Sequence, residues 1–291
     1  MLTREDLREI RSIEIRTRRL VQDQLAGSYH SVFKGRGMSF DSVRVYQPGD
    51  DIRRIDWNVS ARTSDVHVKE FVEERELTVM ILVDMSASLD FGTRVESKRR
   101  VAAKLAALLA FSAIENNDRV GLVLFTEEVE RYIPPKKGRK HVLRLLSEIM
   151  AYQPTHAGTN VDASMEFLLR VARRKAVAFL VSDFKDEGPR RALRIAAGRH
   201  DLIPILLEDP LESALPDLGM AWMEDAETGE ILPVPTHMEG FRRRFEAEAS
   251  SARESLEALF RRLKIDAIRL QTGEPLHRPL LNYFKLRAKR A

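Results

Sequence analysis

Val79-Met80-Ile81-Leu82-Val83, running into Asp84-Met85-Ser86-Ala87-Ser88, is the stretch on which the reading of this chain turns. The apolar run has strand length and no polar alternation, the pattern of a strand buried on both faces of a parallel sheet. Open α/β sheets present their ligands at the carboxyl ends of such strands, and an Asp-x-Ser-x-Ser sequence stands at that end. Alternate positions there can aim one carboxylate and two hydroxyls at a common point. An all-oxygen set suits a hard cation, Mg2+ or Mn2+, and excludes softer metals that prefer His or Cys.

Working downstream, residues 98–115 carry Val101, Leu105, Leu108, Leu109 and Ser112 near helical spacing, with alanines between them that allow close approach to a sheet. Asn116-Asn117-Asp118 stops this helix. Strands are then expected at 120–125 and 129–133, helices at 140–150 and 161–173, a strand at 176–181, a helix at 189–198 and a strand at 202–207. The alternation predicts an α/β fold, a doubly wound, mostly parallel sheet of Rossmann type with helices on both faces. Upstream, an amphipathic helix over 3–24 opened by Thr3 and ended by Gly27, a loop at Lys34-Gly35-Arg36-Gly37, and short strands at 42–46 and 66–72 form a small N-terminal appendage. Residues 1–76 are therefore read as the appendage and 77–210 as the core. Residues 211–291 complete the core with a strand pair around Glu227-Thr228-Gly229, a charged helix at 241–263, a strand at 265–270 and a last helix at 276–289.

Composition narrows the function classes. The 291 residues are 44% hydrophobic and 32% charged, which is globular and not disordered. With no cysteine there is no disulfide, thiolate metal site, iron–sulfur cluster or cysteine nucleophile, and the composition is compatible with a reducing cytoplasm. The N-terminal region is dense in Arg and Glu and lacks a secretory h-region. The most apolar stretch, 101–114, contains Lys104 and falls short of the roughly 20 residues that span a bilayer. A cytoplasmic location follows as the expectation. Net charge is +4, from 48 basic and 44 acidic residues, and the basic clusters are scattered, so nucleic acid is not implied. The tail cations Lys285, Arg287, Lys289 and Arg290 are read as complementing a helix C-terminus in preference to a membrane surface. His67, His156 and His237 are read as ordinary surface or loop residues.

Further oxygen ligands can come from Thr159, in Ala157-Gly158-Thr159-Asn160 before a helix, and from Asp183, in Ser182-Asp183-Phe184 after a strand. Each has a plainer reading as a helix cap: Ser after its strand, Thr159 and Asn160 for the helix at Val161, Asp183 for the next one. All five at the expected places favour a metal centre. In order and context Asp84, Ser86, Ser88, Thr159 and Asp183 resemble the metal-ion-dependent adhesion site of von Willebrand factor A domains. Upstream, Arg44-Val45-Tyr46-Gln47-Pro48-Gly49-Asp50-Asp51-Ile52-Arg53-Arg54-Ile55-Asp56-Trp57, with Ala61-Arg62 and Glu73-Glu74-Arg75-Glu76, resembles a bacterial subgroup called domain of unknown function fifty-eight. Its members are typically encoded beside MoxR-type AAA+ ATPases. The third loop departs from the pattern, with Ala-Gly-Thr where Gly-Gly-Thr is common.

The resemblance implies that Asp84 and Asp183 hold Mg2+ (or Mn2+), directly or through water, while Ser86, Ser88 and Thr159 complete the shell. One position is left for a Glu or Asp from a partner protein. It also implies an adaptor or co-chaperone that works with a MoxR-type AAA+ ATPase in assembling or activating a complex. Arg53, Asp56, Trp57 and Arg62 offer a hot-spot-like mixture for a second surface. The preferred expectation for them is buried Asp–Arg pairing that docks the appendage on the main sheet. No P-loop, nucleophile elbow, His-Glu-x-x-His or dinucleotide fingerprint is present, so no enzyme is expected. The alternatives are a Mg2+-dependent phosphohydrolase, whose usual second strand-end carboxylate is replaced here by Ser86, and a metal-free structural scaffold.

Overall fold

Asp56, Asp50 and Arg44 illustrate how the sequence block upstream of the main strand is used. A computed structural model describes residues 4–290 except 26, 28, 30, 31, 34–38, 64, 73–75, 93–95, 187, 227 and 228. The expected Thr3 start, the loop at 34–37 and most of the acidic run at 73–76 lie outside the described residues. The chain divides into two compact units, Phe33–Leu77 and a larger one made of Met1–Val32 with Thr78–Ala291. This differs from the expected division at residue 76. The first helix, α1 (Arg4–Leu20), belongs with the larger unit because its apolar face is buried at Ile10 and Ile13 and its Glu14 and Glu9 ion-pair with Arg139 and Arg100.

In the smaller unit β1 (Ser39–Val45) runs antiparallel to β2 (His67–Val72), with Val45 opposite His67. Between them the chain makes a 3-10 turn (Ile52–Arg54) and a one-turn helix, α2 (Trp57–Ser60). Asp56 caps α2, accepting from the backbone N–H of Asn58 and Val59 at 3.0 and 3.2 Å, and it faces Lys69 at 3.6 Å. Asp50 receives both Arg44 guanidinium nitrogens at 2.7 Å, which together with the Gln47 N–H holds its carboxyl down to about 2. The block therefore finds its partners close by. Its acids are used inside the unit for turn and strand pairing, while Arg53, Arg62 and the 70% exposed Trp57 point to solvent.

The larger unit is built on a sheet of order β10-β7-β6-β3-β4-β5. Its members in chain order are β3 (Thr78–Asp84), α3 (Lys98–Glu115), β4 (Arg119–Phe125), β5 (Val129–Lys136), α4 (Arg139–Ala151), α5 (Val161–Val171), β6 (Val177–Ser182), α6 (Arg191–Arg199) and β7 (Asp201–Glu208). There follow the turn α7 (Pro210–Ser213), the hairpin β8 (Met220–Glu224) and β9 (Ile231–Pro235), α8 (Glu239–Leu263), β10 (Ile268–Gln271) and α9 (His277–Ala288). All pairings in the main sheet are parallel except β4 with β5. Those two strands are joined by a short turn, which permits only antiparallel return. Pro134 and Pro135 sit in β5, at the sheet edge, where a missing N–H is tolerated.

β3 lies between β4 and β6, and Val79 through Val83 are at most 1% exposed, as an uninterrupted apolar run requires. Each such side chain contributes on the order of 1.5–3 kcal/mol when fully buried. The doubly wound, mostly parallel α/β architecture read from the alternation is present. Of the tail cations, Arg287 pairs with Asp201, and the exposed Arg290 with Asp266 at 2.7 Å. No helix among the described residues is long and apolar enough to cross a membrane.

Candidate metal centre

Parallel register explains why residues far apart in sequence meet at one end of the sheet. Val83 is paired with Val181, so the next residues, Asp84 and Ser182, leave their strands side by side. The Ser182 hydroxyl donates to Asp84 Oδ2 at 2.6 Å, and the Ser86 N–H donates to Asp84 Oδ1 at 2.9 Å. Ser86 Oγ and Ser88 Oγ are 3.1 Å apart, both buried. Thr159 Oγ1 lies 3.3 and 3.5 Å from the Asp84 oxygens, beyond the roughly 2.7–2.8 Å typical of hydroxyl hydrogen bonds. Thr159 thus faces the carboxylate without closing on it.

Asp183 comes to the same rim one residue after Ser182. Its Oδ2 accepts from the Lys98 ammonium at 2.8 Å, while Oδ1 is buried with no hydrogen-bond partner. Burial, and next the Asp183 charge, push the Asp84 carboxyl up to about 7 against the hydrogen bonds from Ser182 and Ser86. Two acids share a water-poor pocket, and only one of them has a local counter-ion. A cation between them would reverse that balance, because a bound ion is the largest charge in such a site.

The helix-cap readings sort themselves accordingly. Asn160 is the cap of α5, accepting from the Ala163 N–H at 3.0 Å. Thr159 faces Asp84 instead, Ser86 makes no side-chain cap bond, and Asp183 binds Lys98. Helix α6 is served by Asp162, which accepts from the Ala192 and Leu193 N–H groups at 3.0 and 3.1 Å.

Several residues that support the rim were not singled out from sequence. Glu130, on β5, has a side chain only 2% exposed and gathers the Thr126 hydroxyl at 2.6 Å, the Thr155 N–H at 2.9 Å and the His156 N–H at 3.2 Å. Burial would raise its pKa, but these donors outweigh burial and hold it at about 2. Glu127 accepts from the Gly158 N–H at 3.3 Å, and a Cβ on Gly158 would meet that same carboxylate at 2.9 Å. The loop carrying Thr159 is further stitched down by Ala87 N–H to Ala157 O at 2.9 Å and Asn160 N–H to Thr126 O at 2.8 Å. Phe184, directly after Asp183, adopts φ +57°, a conformation uncommon for a bulky residue. It is held by the Ser182 hydroxyl on its N–H and by edge-to-face packing on Phe260 of α8, with centroids 5.5 Å apart. Lys98 and Ser182 were both visible in the sequence, but partnering across β3, β6 and α3 is set by register and not by spacing.

Chemically the rim offers oxygen donors alone. Asp84, Ser86, Ser88, Thr159 and Asp183 Oδ1 are the atoms available to a hard cation. The unpartnered, buried Asp183 oxygen and the loose Thr159 contact fit such an ion. Among the described residues no cluster of three or more His, Asp or Glu groups offers an alternative.

Fold and rim together define an α/β protein with a cluster of oxygen-bearing side chains at the carboxyl ends of a mostly parallel sheet. The chain belongs to the DUF58 family, "Protein of unknown function DUF58", whose profile matches residues 42–255. It is 36% identical over 227 residues to "Uncharacterized protein Rv1480" of Mycobacterium tuberculosis, covering 76% of this chain and 71% of that one. It is 28% identical over 162 residues to "Uncharacterized protein YeaD" of Bacillus subtilis, covering 56% and 38%. Among solved structures it is similar to the conserved hypothetical protein BatB from Bacteroides thetaiotaomicron (TM-score 0.47, 17% identity, 73% of this chain and 99% of that one). It is also similar to the SpRpn10 VWA domain (TM-score 0.42, 12% identity, 72% and 95%).

Proposed function

We propose that this DUF58 protein is a Mg2+-dependent protein-interaction module, an adaptor or co-chaperone whose metal takes a Glu or Asp side chain from its partner. The observation that carries the reading is the convergence on Asp84 of Ser86, Ser88, Thr159 and the Asp183 loop, with one Asp183 oxygen buried and unpartnered. Asp84 and Asp183 would hold the ion, with Ser86, Ser88 and Thr159 completing its shell. The bound ion supplies an electrophilic point that a carboxylate can join. The chain's own part is to fix the donors: Ser182 orients Asp84, Glu130 and Glu127 hold the Thr159 loop, and Phe184 turns the backbone after Asp183.

Binding is favoured over catalysis because Ser86 occupies the place where a hydrolase would have its second strand-end acid. The family resemblance names a MoxR-type AAA+ ATPase as the partner to test. Mg2+ at 100 times its Kd should stabilise the protein by about 2.7 kcal/mol, and Asp84→Ala should abolish that gain. Pull-down of the ATPase should fail in EDTA and with Asp84→Ala. Association indifferent to both rejects the metal bridge, and a melting curve unmoved by Mg2+ favours a metal-free scaffold.

A further inference from the structure

Lys98 stands at the first position of α3, where a cation opposes the helix dipole, and its side chain is 0% exposed. A buried ammonium in that position needs carboxylates around it. Two are present. Lys98 Nζ donates to Asp183 Oδ2 at 2.8 Å and to Glu212 Oε1 at 2.7 Å. Glu212 also accepts from Lys185 Nζ at 2.7 Å, and its other oxygen accepts from the Asp209 N–H at 3.0 Å in the capping box of α7. Lys98 therefore takes up one oxygen of Asp183 and leaves the other, Oδ1, buried and without a partner.

The charges follow from these contacts. With a divalent ion held by Asp84 and Asp183 the metal charge is balanced; Glu212 is shared between two lysines, and the buried Asp209 carboxylate of the same capping box balances the second of them. We infer that Lys98 is a built-in cation that tunes the metal centre, weakening its hold on Mg2+, with Glu212 as its counterweight. The inference rests on the Mg2+ reading above and concerns a positioning residue that touches a ligand and not the metal itself.

Charge makes an ordered prediction that packing does not. A unit charge several ångströms from a divalent ion is worth at least about tenfold in affinity at the effective dielectric of buried sites. In calorimetric titration with MgCl2, Lys98→Met should bind about tenfold or more tightly than wild type, and Glu212→Gln should bind more weakly by a similar factor. The double variant Lys98→Met/Glu212→Gln, which restores the net charge while removing the Lys98 partner of Asp183 Oδ2, should return to within about threefold of wild type. A purely structural role for Lys98 weakens binding in every variant or changes it in none, and either outcome overturns the inference. If Lys98→Met does not fold, Glu212→Gln and the double variant decide it: weakening rescued in the double supports the inference, and weakening that persists overturns it. Wild type that binds Mg2+ and loses it in Asp84→Ala, combined with a flat series at Lys98 and Glu212, removes this inference alone. Wild type that takes up no Mg2+ removes the metal reading as well.

Discussion

Replacing Glu130 by Gln perturbs the loop that carries Thr159 without touching any candidate ligand. The carboxylate accepts from one hydroxyl and two backbone N–H groups at 2.6, 2.9 and 3.2 Å, and its side chain is 2% exposed. Hydrogen bonds to a charged acceptor contribute about 1.5–3 kcal/mol each, and an amide keeps one acceptor while turning an NH2 group toward donors, so a net cost of about 2–4 kcal/mol is expected. At roughly 2–4 °C per kcal/mol for a domain of this size, the melting temperature should fall by about 4–16 °C. The pH dependence supplies a sharper check. The folded pKa of Glu130 is lowered to about 2 from 4.5, so its contribution is complete above the unfolded value and is lost as pH falls toward 2. Urea unfolding of wild type and variant at pH 7 and pH 3 should show the gap shrink by roughly half. Equal stability at pH 7, or a gap of the same size at pH 3, would refute the assignment of Glu130 as an ionised loop anchor.

Phe260→Ala removes the edge-to-face partner of Phe184 and should cost about 3–5 kcal/mol in denaturant unfolding, with increased amide exchange over 183–188 if that packing holds the turn. In the smaller unit, Asp56→Ala should destabilise by about 0.5–2 kcal/mol through loss of the α2 cap. Its neighbour Trp57→Ala, at a 70% exposed position, should stay within about 0.5 kcal/mol of wild type; a larger loss would mean that the side chain is buried in solution.

The fold was legible where burial on both faces left long apolar runs. Val79 to Val83, the α3 pattern and the strands at 120–125 and 202–207 read directly, because a parallel sheet covered by helices needs apolar residues at every position. The candidate rim was legible as a residue list but not as a network. Asp84, Ser86 and Ser88 share one strand end and announce themselves by spacing, whereas Ser182 becomes a partner of Asp84 only through the β3–β6 register. Lys98 looked like an ordinary helix residue, since the acids that bury it lie after β6 and β7. Glu130, inside the expected strand at 129–133, drew no attention for the same reason, since the backbone groups it gathers lie some 25 residues on. In the upstream block, Arg44, the α2 backbone and Lys69 satisfy Asp50 and Asp56 within a few residues or across one strand pair, partners that the sequence did not single out.

The outermost parallel strand, β10, comes almost at the end of the chain, although its neighbour β7 is complete much earlier. During synthesis the ribosome therefore emits the hairpin and the long helix before anything can pair with that side of β7. Throughout that interval a growing chain carries an open row of backbone donors and acceptors, a template that a second nascent chain can read as well as its own C-terminus.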